Sequence, residues 1–199
     1  MKKILIMISG RGSNMAAIIR NVGEGCLKEL CTICEVFSNK ADAPGLDIAE
    51  TYNIPTYFIE SKGKKRTTYN TLLKDHLLES DPDLIILAGY MKILSAEIIK
   101  EFPNKIINIH PADTAKHQGL HGYEWAWDNQ LSSTKVTVHF VDEGLDTGMV
   151  IGKKEVDLTG AVSLEEVEER GLTVEHEFYS ECIRKILTAK NCKIAKKNL

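Results

Sequence analysis

Lys105-Ile-Ile-Asn-Ile-His-Pro111 is the stretch whose reading decides the fold. Ile106, Ile107 and Ile109 make a buried-strand run, and it stops at His110-Pro111 because proline has no N–H with which to continue a sheet ladder. Asn108 and His110 therefore stand at a strand's carboxyl end, on one face, since side chains two apart along a strand project together. In open parallel α/β sheets ligands bind along that edge. The Asn amide can donate a hydrogen bond to a carbonyl oxygen, and an imidazole passes a proton near neutral pH. Together they suit acyl transfer. Taken in isolation, such a pair more often marks a strand that merely ends in two satisfied polar residues, so its meaning rests on what the chain brings to the same edge.

Working outward, the segments before this strand alternate in period. Ile4–Ile8 is a short apolar run, Ser9-Gly10-Arg11-Gly12-Ser13-Asn14 a polar glycine loop, and Met15–Arg20 a helix start. Backbone N–H groups at such a helix N-terminus favour an anion, to which Ser13 and Asn14 can add side-chain hydrogen bonds. A dinucleotide fingerprint would place a third glycine where Met15 stands and an acid at the end of strand two. That strand, Cys31–Phe37, ends instead in Ser38-Asn39-Lys40, so a single phosphate monoester is expected rather than NAD. Pro44–Tyr52 reads as a helix, Thr56–Ile59 as strand three, and Thr67–Glu79 as an amphipathic helix with Leu72, Leu73, Leu77 and Leu78 on its apolar side. Leu84–Ala88 is strand four, followed by Gly89-Tyr-Met-Lys-Ile-Leu94 and a helix capped by Ser95.

Beyond Pro111, Gly119-Leu-His-Gly122 precedes a short helix bearing Trp125 and Trp127. Val136–Phe140 alternates Val136, Val138 and Phe140 against Lys135, Thr137 and His139, the pattern of a strand with one polar face. Asp142–Gly148 is a tight polar loop, Met149–Val156 a return strand, and Ser163-Leu-Glu-Glu166 a capping box opening a long helix. The expected fold class is α/β: an open, doubly wound, mainly parallel Rossmann-like sheet with a C-terminal antiparallel strand pair and a long C-terminal helix, residues 1–199 forming one domain.

Composition narrows the function classes. With 199 residues, 43% hydrophobic and 27% charged, the chain can bury one sizeable core, and a net charge of −3 gives no global pull toward nucleic acid or membrane. The apolar run at the N-terminus is five residues long and leads into a glycine loop rather than a cleavage site, so it is read as a strand and not a signal peptide. Five cysteines, odd in number and without framework spacing, point to a reducing cytoplasm. Cys31 and Cys34 form a C-x-x-C, but positions three apart on a strand face opposite sides, which disfavours a redox or metal pair. The basic cluster Lys62-Gly-Lys-Lys-Arg66 is a solvated loop or a partner for a ligand carboxylate. After Glu181 there are six Lys/Arg and no acid, with nothing aromatic interleaved for nucleic acid, which reads as a solvated end.

Ser9-Gly-Arg-Gly-Ser-Asn14, Phe37-Ser-Asn-Lys-Ala-Asp-Ala43, Leu87–Leu94, Ile107–Pro111, Gly119-Leu-His121, Thr137–Val141 and Leu145-Asp-Thr-Gly148 together resemble the phosphoribosylglycinamide formyltransferase family of folate-dependent enzymes, from the first strand to about Tyr179. The resemblance implies transfer of a formyl group from the co-substrate 10-formyltetrahydrofolate to the primary amine of a phosphoribosyl glycinamide in purine biosynthesis, with no metal required. It implies Asn108, His110 and Asp146 as the catalytic trio, Gly12, Ser13 and Asn14 as the phosphate site, and Glu175 as the acceptor contact. It also implies a folate pocket walled by Met91, Lys92, Ile93 and Leu94, by Asn108, and by the loop Asp142, Glu143, Gly144, Leu145 and Asp146. Arg66 would meet the folate's glutamate tail. Partners are then small molecules, with no nucleic acid and no membrane, and a homodimer is left open.

One departure stands beside the site. Relatives usually follow the His-Pro with Ser-Leu-Leu-Pro and an aromatic, whereas this chain has Ala112-Asp-Thr-Ala115 and His117-Gln118, so a loop of different shape with an extra acid is expected. Methionyl-tRNA formyltransferases would be expected to carry a further C-terminal domain and formyltetrahydrofolate hydrolases an N-terminal one. An amino-sugar nucleotide formyltransferase and a non-catalytic folate- or nucleotide-binding regulator remain the alternatives. An adjacent carboxylate at Asp146 favours a charged imidazole, so a raised pKa is expected for His110.

Overall fold

The computed structural model describes residues 1–189. The basic residues beyond 189 that the sequence reading treated as a solvated end lie outside the described residues. Seven strands form one sheet in the order β3-β2-β1-β4-β5-β6-β7. β1 (Lys2–Ile8), β2 (Cys31–Ser38), β3 (Thr56–Phe58), β4 (Leu84–Leu87) and β5 (Ile106–His110) run parallel. β6 (Ser133–Phe140) and β7 (Val150–Asp157) are antiparallel additions. The chain winds from β1 out to β3, returns across β1 to β4 and continues the other way, so the strand order reverses at β1 and β4.

Each central strand is apolar on both faces because helices cover both. Along β1, Ile4, Ile6 and Ile8 enter one core and Leu5 and Met7 the other. All five are fully buried, and each such side chain contributes roughly 1.5–3 kcal/mol of transfer free energy. The first core packs under α1 (Ser13–Gly23), α2 (Pro44–Thr51), α5 (Gly122–Asp128) and α6 (Leu164–Thr188). The second packs under α3 (Arg66–Ser80) and α4 (Ala96–Glu101). Cys31 belongs to the first core and Cys34 packs on the second, as strand alternation requires, and burial pushes the Cys31 thiol up to about 11. No described helix is long and apolar enough to cross a membrane.

Two local expectations fail. In α3 the buried stripe is Tyr69, Leu73 and Leu77, while Leu72 and Leu78 are exposed. The stripe runs at four-residue spacing, and Tyr69 and Tyr90 bond through their hydroxyls at 2.6 Å. Ser95 precedes α4 without capping it, and its Oγ is buried without a partner. The polar face of β6 is present as expected, with Lys135 exposed but Thr137 and His139 as buried as Val136 and Val138. Ser163 does cap α6, accepting the Glu166 N–H at 3.2 Å, while Glu166 itself reaches back to the Val162 N–H at 3.0 Å.

Candidate active site

Antiparallel pairing across β5 and β6 sets Asn108 opposite His139 and His110 opposite Thr137. The buried polar face of β6 is therefore the wall against which the two sequence-predicted residues stand. Asp146 reaches them from the loop after β6, in the left-handed region at φ 54°, a conformation Asp tolerates better than most side chains. Its carboxylate bridges two imidazoles: Oδ2 lies 3.4 Å from His110 Nδ1 and Oδ1 lies 3.4 Å from His139 Nε2. The Gly119 N–H donates to Oδ2 at 2.9 Å. Asn108 Nδ2 lies 3.4 Å from the same His139 nitrogen, so Asn108 stands beside the His110–Asp146 pair with His139 between them.

Backbone partners settle part of the proton placement. The Phe140 carbonyl lies 2.8 Å from His139 Nδ1 and can only accept, so Nδ1 carries a proton. The His117 carbonyl lies 3.1 Å from His110 Nε2, so that nitrogen is likewise a donor. Burial raises the Asp146 pKa, but the hydrogen bonds from His139 and the Gly119 N–H, together with the His110 charge, outweigh it and hold the carboxyl below its ordinary value. For His110 the balance goes the other way. Desolvation lowers its pKa by more than Asp146 and the His117 carbonyl restore, so the expected raised value is corrected to a lowered one.

A second polar cluster lies under the glycine loop. Gly12 adopts φ +74° at the start of α1, and a Cβ there would come within 3.0 Å of Met15 Cε and 3.2 Å of Gly45 Cα. Only glycine fits that approach. Ser13 is exposed and free to meet an anion, but Asn14 turns inward: its Nδ2 donates to Glu175 Oε2 at 2.6 Å, and its buried Oδ1 has no partner. Glu175, 5% exposed, also accepts the Tyr123 hydroxyl at 2.5 Å on Oε1. Burial raises its pKa, and two neutral donors only partly offset that. Beside this network is a cleft of about 500 Å³ lined by Arg11, Glu168, Glu169, Leu172, Thr173 and His176.

The predicted folate-side residues divide. Arg66, at the first turn of α3, shares a cleft of about 350 Å³ with Lys64, Tyr69, Met91, Lys92 and Ile93. Leu94, expected beside them, packs its side chain into the second core at 5% exposure. In the loop after β6, Asp142 accepts from the Gly144 N–H at 3.1 Å and the Thr147 hydroxyl at 2.7 Å, Glu143 pairs with Lys100 at 3.4 Å, and Leu145 is exposed. A further cavity of about 620 Å³ lies elsewhere, between the end of α5 and the loop from β7 to α6.

Sequence reasoning missed His139 and Tyr123. The first was detectable in principle, since an antiparallel neighbour of β5 must set one polar residue against Asn108. Tyr123 carries no local signal. Its place depends on Gly171 of α6, where a Cβ would lie 2.1–2.3 Å from the Tyr123 ring, a contact joining residues far apart in sequence.

The model of the formyl transferase family matches residues 2–183. The chain belongs to the formyl transferase family. This formyl transferase is 38% identical over 180 residues to the phosphoribosylglycinamide formyltransferase of Haemophilus influenzae, covering 90% of this chain and 84% of that one. It is 34% identical to the trifunctional purine biosynthetic protein adenosine-3 of Bos taurus, covering 92% of this chain but 18% of that much longer protein. Among solved structures it superposes on glycinamide ribonucleotide transformylase 1 from Symbiobacterium toebii with a TM-score of 0.88 at 32% identity, covering 94% of this chain and 88% of that one.

Proposed function

We propose that this formyl transferase moves the formyl group of 10-formyltetrahydrofolate to the primary amine of N1-(5-phospho-D-ribosyl)glycinamide, a step of de novo purine biosynthesis. The observation that carries the reading is the cluster of Asn108, His110 and Asp146 at the ends of β5 and β6, in a chain whose family members over this length are named for that reaction. The amine lone pair attacks the formyl carbon, and the carbonyl electrons move onto oxygen. Asn108 Nδ2–H and His110 Nε2–H are the donors for that oxyanion. Collapse re-forms the carbonyl and breaks the bond to N10, which takes up a proton as the former amine gives one away.

The lowered pKa of His110 is compatible with this chemistry. A neutral imidazole protonated on Nε2 already donates to the formyl oxygen, and a negative charge developing opposite that nitrogen adds to the field of Asp146, favouring the imidazolium when it is needed. The acceptor's phosphate is assigned to the Gly12–Ser13 start of α1, where free N–H groups and the helix dipole favour an anion. Glu175, held by Asn14 and Tyr123, lies under that loop as the acceptor contact. The cleft carrying Lys64, Arg66 and Lys92 supplies positive charge for the glutamate carboxylates of the folate, with Met91 and Ile93 as its apolar wall and the 142–146 loop as a further wall.

The test is to mix the purified protein with 10-formyltetrahydrofolate and follow deformylated folate with and without phosphoribosyl glycinamide. Deformylation that requires the glycinamide is expected. Turnover with an amino-sugar nucleotide in its place, or folate binding without any turnover, would contradict the proposal.

A further inference from the structure

The turn after β5 is fixed by side-chain bonds to both antiparallel strands. Asp113 is 8% exposed, and its carboxylate pairs with Lys153 of β7 through one oxygen and with Lys135 of β6 at 3.5 Å through the other. Oδ1 also accepts the Ala115 N–H at 3.1 Å, and the Asp113 carbonyl accepts the Lys116 and His117 N–H groups at 2.8 and 2.9 Å. The Thr137 hydroxyl donates to the Ala112 carbonyl at 2.7 Å. The base of the turn is thus tied to both antiparallel strands.

Its far end delivers two backbone groups to the trio. The His117 carbonyl accepts from His110 Nε2–H, and the Gly119 N–H donates to Asp146. Between them the His117 ring stacks on Trp125, centroids 5.0 Å apart and planes 15° from parallel, and its Nε2 donates to the Leu120 carbonyl at 2.9 Å. The chain path is therefore continuous from a part-buried ion pair to the orientation of an imidazole and a carboxylate.

We propose that Asp113, through Lys153 and Lys135, is a positioning residue for formyl transfer, clamping the 113–119 turn where its backbone orients His110 and Asp146. The inference rests on the catalytic reading of those two residues. The His117 carbonyl accepts the His110 Nε2–H, and the formyl oxygen takes over that hydrogen bond during the reaction. A turn released from the strands would leave the ring free to rotate away from the position the oxyanion needs. Lys153 lies on the same clamp, so removing either partner should have the same consequence.

The experiment uses the full chain with Asp113→Asn, Lys153→Met, the double variant and Asp113→Glu, measuring kcat and both KM values, the melting temperature, and the ring N–H resonances of ¹⁵N-histidine-labelled protein. Asp113→Asn should lower kcat by roughly 10- to 100-fold with both KM values nearly unchanged, the scale set by misplacing a reacting group by about an ångström. Lys153→Met should do the same, the double variant should cost little more than either, and Asp113→Glu should recover part of the rate. The His110 Nε2–H resonance should move in the slow variants. Wild-type kcat with an unmoved resonance, or losses that multiply in the double variant, would overturn the role of Asp113 while leaving the trio untouched. Full activity in His110→Ala would instead remove the reading on which it rests. If Asp113→Asn does not fold, Lys153→Met alone carries the comparison.

Discussion

Asp146 and Glu175 are both carboxylates withdrawn from water, and their surroundings drive them in opposite directions. Asp146 faces two imidazoles and a backbone N–H, which hold it ionised below its ordinary pKa. Glu175 is more deeply buried and faces only a phenol and an amide, so desolvation prevails and its pKa rises. The neighbours, not the residue type, decide which acid is a fixed negative pole and which is a latch, more readily protonated than an ordinary glutamate, joining α1, α5 and α6. In the proposed reaction the pole acts on the reacting groups through His110, and the latch on the placement of the proposed phosphate loop.

The largest effect should come from removing the group through which the pole acts. His110→Ala is expected to lower kcat by about 10²–10⁴-fold, the range for a positioned proton donor, with circular dichroism unchanged. Asp146→Asn should also lower kcat strongly and shift the His110-dependent limb of the pH–rate profile to lower pH, because it removes a charge that raises the histidine's pKa. A limb that stays in place would mean that Asp146 does not tune the ring.

The latch should break at Gly171. Gly171→Ala drives a methyl into the Tyr123 ring, costing roughly 1–3 kcal/mol by overpacking and displacing the phenol from Glu175. A lowered Tm and a raised acceptor KM are expected, with folate KM preserved. An unchanged Tm would show that α5 and α6 yield freely at that contact.

The two acids should also differ in how stability depends on pH. Asp146 has a lowered folded pKa, so its contribution is present above the unfolded value near 3.9 and is lost as pH falls through the folded one. Glu175 has a raised folded pKa, so its contribution is complete below about 4.3 and is lost as pH rises through the folded value. At neutral pH Asp146→Asn should therefore destabilise and Glu175→Gln stabilise, both differences shrinking in acid. Thermal melts of the two variants from pH 3 to 8 check this, and shifts of the same sign at neutral pH would collapse the contrast.

Least affected should be the exposed cleft. Arg66→Ala is expected to weaken folate binding about two- to fivefold, as for an exposed ion pair, and the difference should fade with added salt. Calorimetry showing equal affinities at low salt would take Arg66 out of the folate site.

The sheet was legible in the sequence because its strands are near-continuous apolar runs ended by turn residues, and Pro111 placed Asn108 and His110 at the edge. Asp146 entered only through the family resemblance, since nothing local says which residue of a polar loop folds back onto β5. The inward turn of Asn14, the core position of Leu94 and the burial of the polar face of β6 were not legible, because each is settled by what packs on top: Glu175, the second core, and the loop carrying Asp146. His110 shows the same limit in electrostatic form. A neighbouring carboxylate can be guessed from a motif, but the desolvation opposing it exists only once the chain is folded.

The account's central claim is that Asn108, His110 and Asp146 act as one unit on the formyl group. A double-mutant cycle in kcat/KM for phosphoribosyl glycinamide, comparing His110→Ala, Asp146→Asn and their combination at saturating 10-formyltetrahydrofolate, tests it most directly. The double variant should be scarcely slower than His110→Ala, because the carboxylate acts through a ring no longer present. Losses that multiply, as for independent sites, would contradict it.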